Sequence, residues 1–205
     1  MCAVHRMDEK IDSGGVVGYE EYIIPEGIRK PIDFINLYEQ KNSRFLIKFL
    51  DDYYNNKIEL KYINQPEYLS SYWPRLKAID HAWVNWDWSG GEIDQFICAF
   101  DDPYDGAKTR WKNKVIRMKE SHFQSGNTGL HPFQYGLVFR KNKKWINVAV
   151  KNGELIIEKI LYEDSNNILD EVKIGDRLFT LENDKINIYK KIVQTDKGLK
   201  SIKYW

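Results

Sequence analysis

Residues 89–100 have the sequence SGGEIDQFICAF and predict a short amphipathic helix. Ser89 and Glu92 stand three residues apart, which is the spacing of a capping box at a helix start. The apolar residues that follow are spaced at i, i+3, i+4 and i+7, so they share one helix face. They are Ile93, Phe96, Ile97 and Phe100. We expect the helix to end by Pro103.

After Gly106 the pattern changes to short strands. The strand-like runs are AKTRW and KVIRMKE around Asn113, then YGLVFRK, WINVAV, ELIIEKILYE and a final set from Leu178 to Val193. Asn152-Gly153 stands between two of these runs and predicts a tight hairpin. Five or more short antiparallel strands at this spacing predict a small barrel or a sandwich.

Before the helix, the chain divides into strands, a long helix and a linker. Residues 2–4 and 16–24 predict strands on either side of a polar, glycine-bearing loop. From Pro31 to Tyr54 the apolar residues recur mostly at three- and four-residue steps, which predicts a helix with one apolar face. Residues 55–80 carry prolines and scattered aromatic residues without a period, and they predict a linker over the surface.

The composition limits the classes of partner. The chain has 205 residues with 31 basic and 30 acidic side chains, so 31 − 30 leaves a formal charge of +1 and no strong field to attract a polyanion. Cys2 and Cys98 form neither a CxxC pair nor a zinc spacing. The first residues lack the apolar run of a secretory signal, and no run of about 18 apolar residues occurs. We therefore expect a soluble, cytoplasmic protein.

Three separated segments carry a resemblance to a known family. Residues 5–14, HRMDEKIDSG, contain Asp-Ser-Gly at positions 12 to 14. Trp73-Pro74-Arg75 is followed by Val84-Asn85-Trp86 and the capped helix, and residues 102–107 have the sequence DPYDGA. In this order the segments resemble the Asp-Thr-Gly loop, the Pro-Arg linker with its I-x-W entry, and the Pro-Tyr-Pro-Gly-Ala turn of the methionyl-tRNA and sugar-nucleotide formyltransferase family. Ser13 and Asp105 depart from that pattern.

The resemblance covers His5 to about Leu178 and implies an α+β fold. It implies that residues 1–63 are the C-terminal remnant of a Rossmann-like formyltransferase catalytic domain and that residues 64–81 are a linker. Residues 82–205 would form a C-terminal OB-like antiparallel β-barrel with a leading helix. Residues 180–205 match nothing in the family's pattern, so their role stays open.

The resemblance also implies formyl transfer from 10-formyltetrahydrofolate to an amine of a larger acceptor, either an aminoacyl-tRNA or an amino sugar nucleotide. It makes Asp12 the carboxylate that orients a catalytic histidine, and it places Lys10, Ile11 and Asp12 against the folate. The family's asparagine and histidine belong to an Asn-x-His-Pro-type stretch ahead of the aspartate, and none precedes Asp12 here. We therefore expect the 205 residues alone to be inactive.

An isolated remnant would leave sheet edges and apolar surface uncovered. Three explanations stay open: a partner chain supplies the other half, two copies cover each other, or the chain is a truncated product of a longer gene.

Basic and aromatic residues alternate in residues 108–112. A strand there would present Lys108 and Arg110 on one side and Trp111 on the other, and we treat these three residues as candidates for acceptor binding. A further set of residues could extend that surface: Arg140, Lys141, Lys143, Lys144 and Trp145. An ordinary solvated face is the alternative. The rival function is a non-catalytic OB-like binding module for nucleic acid or a nucleotide-linked ligand.

Other chemistry-bearing residues have simpler interpretations. His122 and His131 lie in a stretch that predicts a loop, and they lack the spacing of a metal site. Asp101-Asp102 before Pro103 favours turn formation over paired-carboxylate catalysis. Cys98 has no positive neighbour in sequence, so we expect it to pack in the core.

Overall fold

A computed structural model of the chain describes residues 1–9, 13–71, 73, 75–126, 130–162, 165–195 and 198–202. The chain divides into two compact units. The first comprises residues 1–28 and 33–73, and the second comprises residues 29–32 and 74–205. Within the described ranges, no helix is long and apolar enough to cross a membrane.

The first unit contains a two-stranded sheet and a long helix. Strands β1 (Cys2–His5) and β2 (Val16–Glu20) pair antiparallel, with Cys2 opposite Glu20. Helix α1 spans Pro31–Tyr54, which confirms the predicted helix. The expected strand to residue 24 is too long, because β2 ends at Glu20 and residues 21–24 are not paired with β1. Ile63 extends the sheet by exchanging two backbone hydrogen bonds of 2.8 and 2.9 Å with Val16.

Helix α1 has an apolar face that its own unit covers only in part. Phe45 is buried, and Phe49 packs so closely on Gly18 that a Cβ there would lie 2.5 Å from its ring. The side chains farther round the same face are 39% to 53% exposed. They are Ile35, Leu46, Leu50 and Tyr53. A partly uncovered stripe of this kind is typical of a surface that packs against another segment.

The second unit is built on a six-stranded sheet whose hydrogen-bonded neighbours are all antiparallel. Its strands are β3 (Ala107–Trp111), β4 (Lys114–Ser125), β5 (Val138–Lys141), β6 (Ile146–Val150), β7 (Gly153–Leu161) and β8 (Leu178–Phe179). Their order across the sheet is β5-β6-β7-β4-β3-β8. Asn152 takes a positive φ of 67° between β6 and β7, which confirms the predicted hairpin.

The two ends of this sheet meet. Val138 N donates to Asp176 O at 2.9 Å, and Leu178 N donates to Gly136 O at 2.8 Å. Leu137 and Arg177 form an antiparallel bridge between these bonds. The segment leading into β8 thus pairs with the segment leading into β5, and the antiparallel sheet closes on itself. Closure removes the exposed edges that an open sheet would leave.

Helix α3 (Gly90–Ala99) covers the core of the sheet and confirms the predicted capped helix. Ser89 Oγ accepts a hydrogen bond from Glu92 N, and the Glu92 carboxylate accepts one from Ser89 N at 2.8 Å. Ile93 and Ile97 are fully buried with the inward residues of the strands. A side chain at Gly90 would force Phe123 and Val150 to shift, because a Cβ would lie 2.3 Å from the Phe123 ring and 2.6 Å from a Val150 methyl group.

The chain after β8 differs from the expected run of strands between Leu178 and Val193. Helix α4 (Glu182–Lys185) and a 3₁₀ turn (Ile186–Tyr189) come first, and β9 (Lys191–Thr195) and β10 (Gly198–Ile202) then form a separate hairpin. The helical turn is favoured because the Asp184 carboxylate accepts from Leu181 N at 3.2 Å and is held by Arg110. A further helical turn, α2 (Ala78–His81), precedes α3. Short 3₁₀ turns also occur at Glu67–Leu69, Pro132–Gln134 and Leu169–Glu171.

Candidate functional site

The connection between β1 and β2 is the segment in which the sequence predicts the aspartate loop. Arg6 N donates to Gly15 O at 3.0 Å and closes the base of this connection. The Ser13 hydroxyl donates to a carboxylate oxygen of Asp8. The three residues predicted to act here, Lys10, Ile11 and Asp12, lie outside the described residues. Their roles in orienting a histidine and contacting folate therefore stay predictions.

The surroundings of Gly14 explain why the predicted motif ends in glycine. This residue is buried, and a Cβ built on it would lie 1.6 Å from the carbonyl oxygen of Arg6. Its own carbonyl accepts a hydrogen bond of 2.7 Å from the Gln65 amide. Any other residue at position 14 would push the two ends of the connection apart, because the obstructing atom belongs to the backbone.

The predicted acceptor-binding residues on β3 have different surroundings. Ala107, Thr109 and Trp111 are buried and Lys108 and Arg110 are half-buried, which confirms the predicted alternation. Arg110 donates to both carboxylate oxygens of Asp184, at 2.6 and 2.7 Å. Trp111 is only 3% exposed, and its Nε1 donates to Asp176 at 2.8 Å. The side chains of Arg110 and Trp111 are thus engaged within the fold.

Lys108 instead lines a cavity of about 330 Å³ in the second unit. The cavity lies between α2 and strands β3 and β4, and the turn that leads into β3 contributes Asp105 and Gly106. Its lining residues are Ala78, Ile79, Trp83, Asp105, Gly106, Lys108, Val115 and Arg117. Residues 82–84 form one wall by pairing with β3, since Val84 N donates to Lys108 O at 2.9 Å.

The charges around this cavity are partly buried. Lys108 Nζ donates to Ile79 O at 2.6 Å and lies 5.2 Å from the centre of the Trp83 ring. Burial lowers the pKa of the Lys108 ammonium, although the charge of Asp80 opposes that shift. Arg117 donates to Tyr162 O at 2.8 Å, and its Nη1 lies 3.7 Å from Asp105. Lys108 and Arg117 outnumber Asp105 among the lining charges, so 2 − 1 leaves a local charge of +1.

Trp83, which lines the cavity, also carries a buried polar atom without a described partner. The residue is 5% exposed, and its Nε1 is buried without a hydrogen-bond partner among the described residues. An unpaired buried donor costs roughly 1–3 kcal/mol. By contrast, Trp86 Nε1 donates to the Thr109 hydroxyl at 2.9 Å. Trp86 belongs to the segment that resembles the I-x-W entry, whereas no sequence pattern marks Trp83, and only its indole without a described partner distinguishes it.

A second polar cluster lies elsewhere in this unit. Arg29 forms an ion pair with the Asp94 carboxylate of α3, and Ser121 Oγ donates to the same carboxylate at 2.7 Å. Asp101 is fully buried and accepts from Asp102 N and Glu120 N at 2.7 and 2.8 Å. This confirms that Asp101 shapes the turn. The cluster satisfies its charges internally, which is typical of a structural network.

The histidines and cysteines that the structure describes are not grouped with other ligands that could hold a metal ion. His122 lies in β4 and not in the predicted loop, because its strand continues to Ser125 in register with β7. His131 begins a 3₁₀ turn, where its Nδ1 accepts from Phe133 N at 3.2 Å. Cys98 is buried, and burial raises the pKa of its thiol, which fits packing. The described residues contain no group of three His, Cys, Asp or Glu side chains able to hold a metal ion.

Helix α3, the turn at residues 102–106 and strands β3 to β7 form one continuous block of the second unit. Residues 78–169 match the formyl transferase C-terminal domain. The matched stretch begins at α2, includes the cavity and ends before β8, and it covers somewhat less than half of the chain. None of the curated proteins compared matches the chain.

Solved structures share the fold. HypX from Aquifex aeolicus in complex with tetrahydrofolic acid has a TM-score of 0.54 at 13% identity, over 95% of this chain and 35% of that chain. A HypX variant with four alanine substitutions has a TM-score of 0.55 at 14% identity, over 78% and 28% of the two chains.

The N-formyltransferase from Helicobacter canadensis, in complex with folinic acid and dTDP-3-aminofucose, has a TM-score of 0.52 at 20% identity. That alignment covers 76% of this chain and 54% of the Helicobacter chain. The chain thus spans between 28% and 54% of the length of these structures. At such identities the similarity shows the fold alone.

Proposed function

We propose that this chain takes part in formyl transfer from 10-formyltetrahydrofolate to an amine of a larger acceptor. The match of residues 78–169 to the formyl transferase C-terminal domain carries this proposal. The fold shared with HypX and with an N-formyltransferase supports it. The acceptor is an aminoacyl-tRNA or an amino sugar nucleotide. The dTDP-3-aminofucose bound by the Helicobacter protein is an example of the second class.

The reaction requires two tasks of the protein, stabilisation of an oxyanion and transfer of a proton. The acceptor amine attacks the formyl carbon, a new C–N bond forms, and the bond to the folate nitrogen breaks as tetrahydrofolate leaves. Between these events a tetrahedral oxyanion needs a hydrogen-bond donor, and the amine must lose a proton. In our proposal Asp12 orients the histidine that takes this proton and returns it to the folate nitrogen as the old bond breaks, and the backbone of residues 10–12 contacts the folate.

The exposed apolar surface of the first unit supports the proposal that this unit is part of a larger catalytic domain. The exposed apolar face of α1, with Ile35, Leu46 and Leu50, would be covered by the polypeptide that carries the asparagine and histidine. We assign the first unit to the end of a Rossmann-like catalytic domain and the closed sheet to an OB-like barrel. Both assignments follow from the resemblance and from the proposed function.

A reconstituted transfer assay tests the proposal. The purified chain would be mixed with 10-formyltetrahydrofolate and each acceptor class, alone and together with a polypeptide bearing an Asn-x-His-Pro segment. We expect turnover only in the mixture, because the 205 residues contain no Asn-x-His-Pro sequence. Asp12→Asn should abolish that turnover, and Asp33→Asn on α1 is the matched control.

The outcomes separate the two candidate functions. Turnover by the chain alone would overturn the roles assigned to the asparagine and histidine. A mixture in which both polypeptides fold and associate, yet transfer no formyl group, would overturn the enzymatic proposal. A non-catalytic binding module would then be favoured, because the cavity beside Trp83 could still hold a ligand.

A further inference from the structure

The cavity beside Trp83 presents mostly hydrogen-bond donors. Lys108 and Arg117 are cationic, and Asp105 is the only acidic side chain among the lining residues that the structure describes. Asp105 is 77% exposed, so solvent screens its charge far more than that of Arg117, which is 16% exposed. A ligand that complements this lining must carry acceptors and negative charge.

The remaining walls are apolar. Ala78, Ile79 and Val115 face the space together with the Trp83 ring, and Gly106 adds no side chain. A volume of about 330 Å³ lies at the lower end of the range for small-molecule sites, roughly 300–1,000 Å³. A bare inorganic anion would leave these apolar walls unpaired. The fitting ligand therefore combines one anionic group with one flat or apolar portion.

We propose that this cavity binds a nucleoside monophosphate unit, with the phosphate at Lys108 and Arg117 and the base against Trp83, Ile79 and Val115. Lys108 is suited to this role because its ammonium uses one donor on Ile79 O and has three donors in total. Trp83 lines the same cavity, and its ring offers a flat apolar surface for the base.

The inference deepens the proposed function and rests on it for the source of the ligand. Both acceptor classes named above carry a nucleotide phosphate: the terminal adenosine of a tRNA, or the nucleotide of an activated amino sugar. The cavity would then bind the nucleotide part of the acceptor, at a site separate from the one where the amine of the acceptor reacts. Binding itself requires neither the formyl donor nor Asp12, so it can be measured on the chain alone.

The test is isothermal titration of the full chain with AMP and with dTMP, compared with inorganic phosphate and with thymidine. We expect at least one nucleotide to bind more tightly than either fragment. Tighter binding of AMP would indicate the tRNA source, and tighter binding of dTMP the sugar nucleotide. If phosphate or thymidine alone binds as tightly as both nucleotides, or if neither nucleotide binds, the inference is overturned.

Two variants locate the ligand. Lys108→Met keeps the length of the side chain and should weaken nucleotide binding by about tenfold, since a hydrogen bond to a charged group is lost. Lys48→Met removes an exposed charge from α1 in the first unit and should leave binding unchanged. Equal affinities of the wild type and Lys108→Met would place the ligand elsewhere.

A second readout does not depend on affinity. Trp83→Phe keeps an aromatic ring, removes the N–H and identifies the Trp83 indole signal in a ¹⁵N correlation spectrum by its loss. In the wild type this signal should shift when the nucleotide is added, because the base packs against the Trp83 ring. An unchanged Trp83 signal at saturating nucleotide would contradict the proposed binding mode, even if binding occurred.

Discussion

The guanidinium of Arg110 holds both carboxylate oxygens of Asp184, with Nε–Oδ2 at 2.6 Å and Nη2–Oδ1 at 2.7 Å. The pair joins β3 to α4 across 74 positions of sequence. Parallel N–H···O bonds of this kind are stronger than single ones and fix the orientation of both groups. The ion pair therefore holds α4, which follows β8, against strand β3 of the closed sheet.

Breaking this pair should destabilise the second unit. Arg110→Lys replaces the planar fork with a point charge and should lower the free energy of unfolding by about 1–3 kcal/mol. Urea unfolding followed by circular dichroism measures the change. Arg140→Lys is the control, because Arg140 is 61% exposed and its ion pair with Glu154 has a long N–O distance of 3.5 Å. Its effect on the free energy of unfolding should stay below about 0.5 kcal/mol. Equal losses in both variants would contradict a special role for Arg110.

The same pair predicts a pH dependence. The hydrogen bonds from Arg110 hold the pKa of the Asp184 carboxyl below its usual value. A depressed folded-state pKa adds stability above the unfolded value of roughly 3.9, and that stability is lost as the pH falls through the folded-state pKa. The stability difference between the wild type and Asp184→Asn should therefore be largest near pH 7 and shrink below pH 4. A difference that is constant from pH 7 to pH 3 would contradict the assignment.

Local sequence patterns predicted the elements whose stability is local. The capping box at Ser89 and Glu92 and the Asn152-Gly153 hairpin lie within a few residues of the contacts that stabilise them. The apolar residues of α1 recur at three- and four-residue steps, and this local spacing similarly predicts the helix and its apolar face. These elements appear where the sequence placed them.

Long-range contacts account for what the sequence missed. Nothing near Asp184 in sequence indicates that Arg110 will hold it, so the sequence predicts strands across Leu178 to Val193 where helical turns occur at 182–189. The cavity likewise depends on Trp83, Lys108 and Arg117, which come together only when the sheet is assembled. Lys108 was identified because of its alternation along a strand. Trp83 and Arg117 had no comparable signal.

Lys141 should stabilise the turn that follows β7. Its ammonium donates to three backbone carbonyls, those of Leu169, Asp170 and Val172, at 3.0, 2.8 and 2.6 Å. Lys141→Met leaves these carbonyls without that donor and should cost about 1–3 kcal/mol in the free energy of unfolding. Lys143→Met changes an exposed lysine two residues away and should be nearly neutral. If both variants unfold at the same urea concentration as the wild type, the three contacts contribute nothing measurable.

Gly14 links the geometry of the first unit to the proposed chemistry. A Cβ at this position would lie 1.6 Å from Arg6 O, so Gly14→Ala must displace the backbone that closes the base of the β1–β2 connection. We expect faster hydrogen exchange at the Arg6 amide, which donates to Gly15 O in the wild type. Such overpacking should also cost about 1–3 kcal/mol of stability.

Asp12 is two residues from Gly14 in sequence, so under the proposed function Gly14→Ala should lower formyl transfer in the reconstituted assay while nucleotide binding by the second unit stays intact. Gly126→Ala is the matched control, because a Cβ there meets nothing within 4 Å. Exchange at the Arg6 amide that equals the wild-type rate would show that the connection tolerates a side chain. Lost nucleotide binding in Gly14→Ala would show instead that the damage extends beyond the first unit, and the transfer defect could not then be assigned to the aspartate loop.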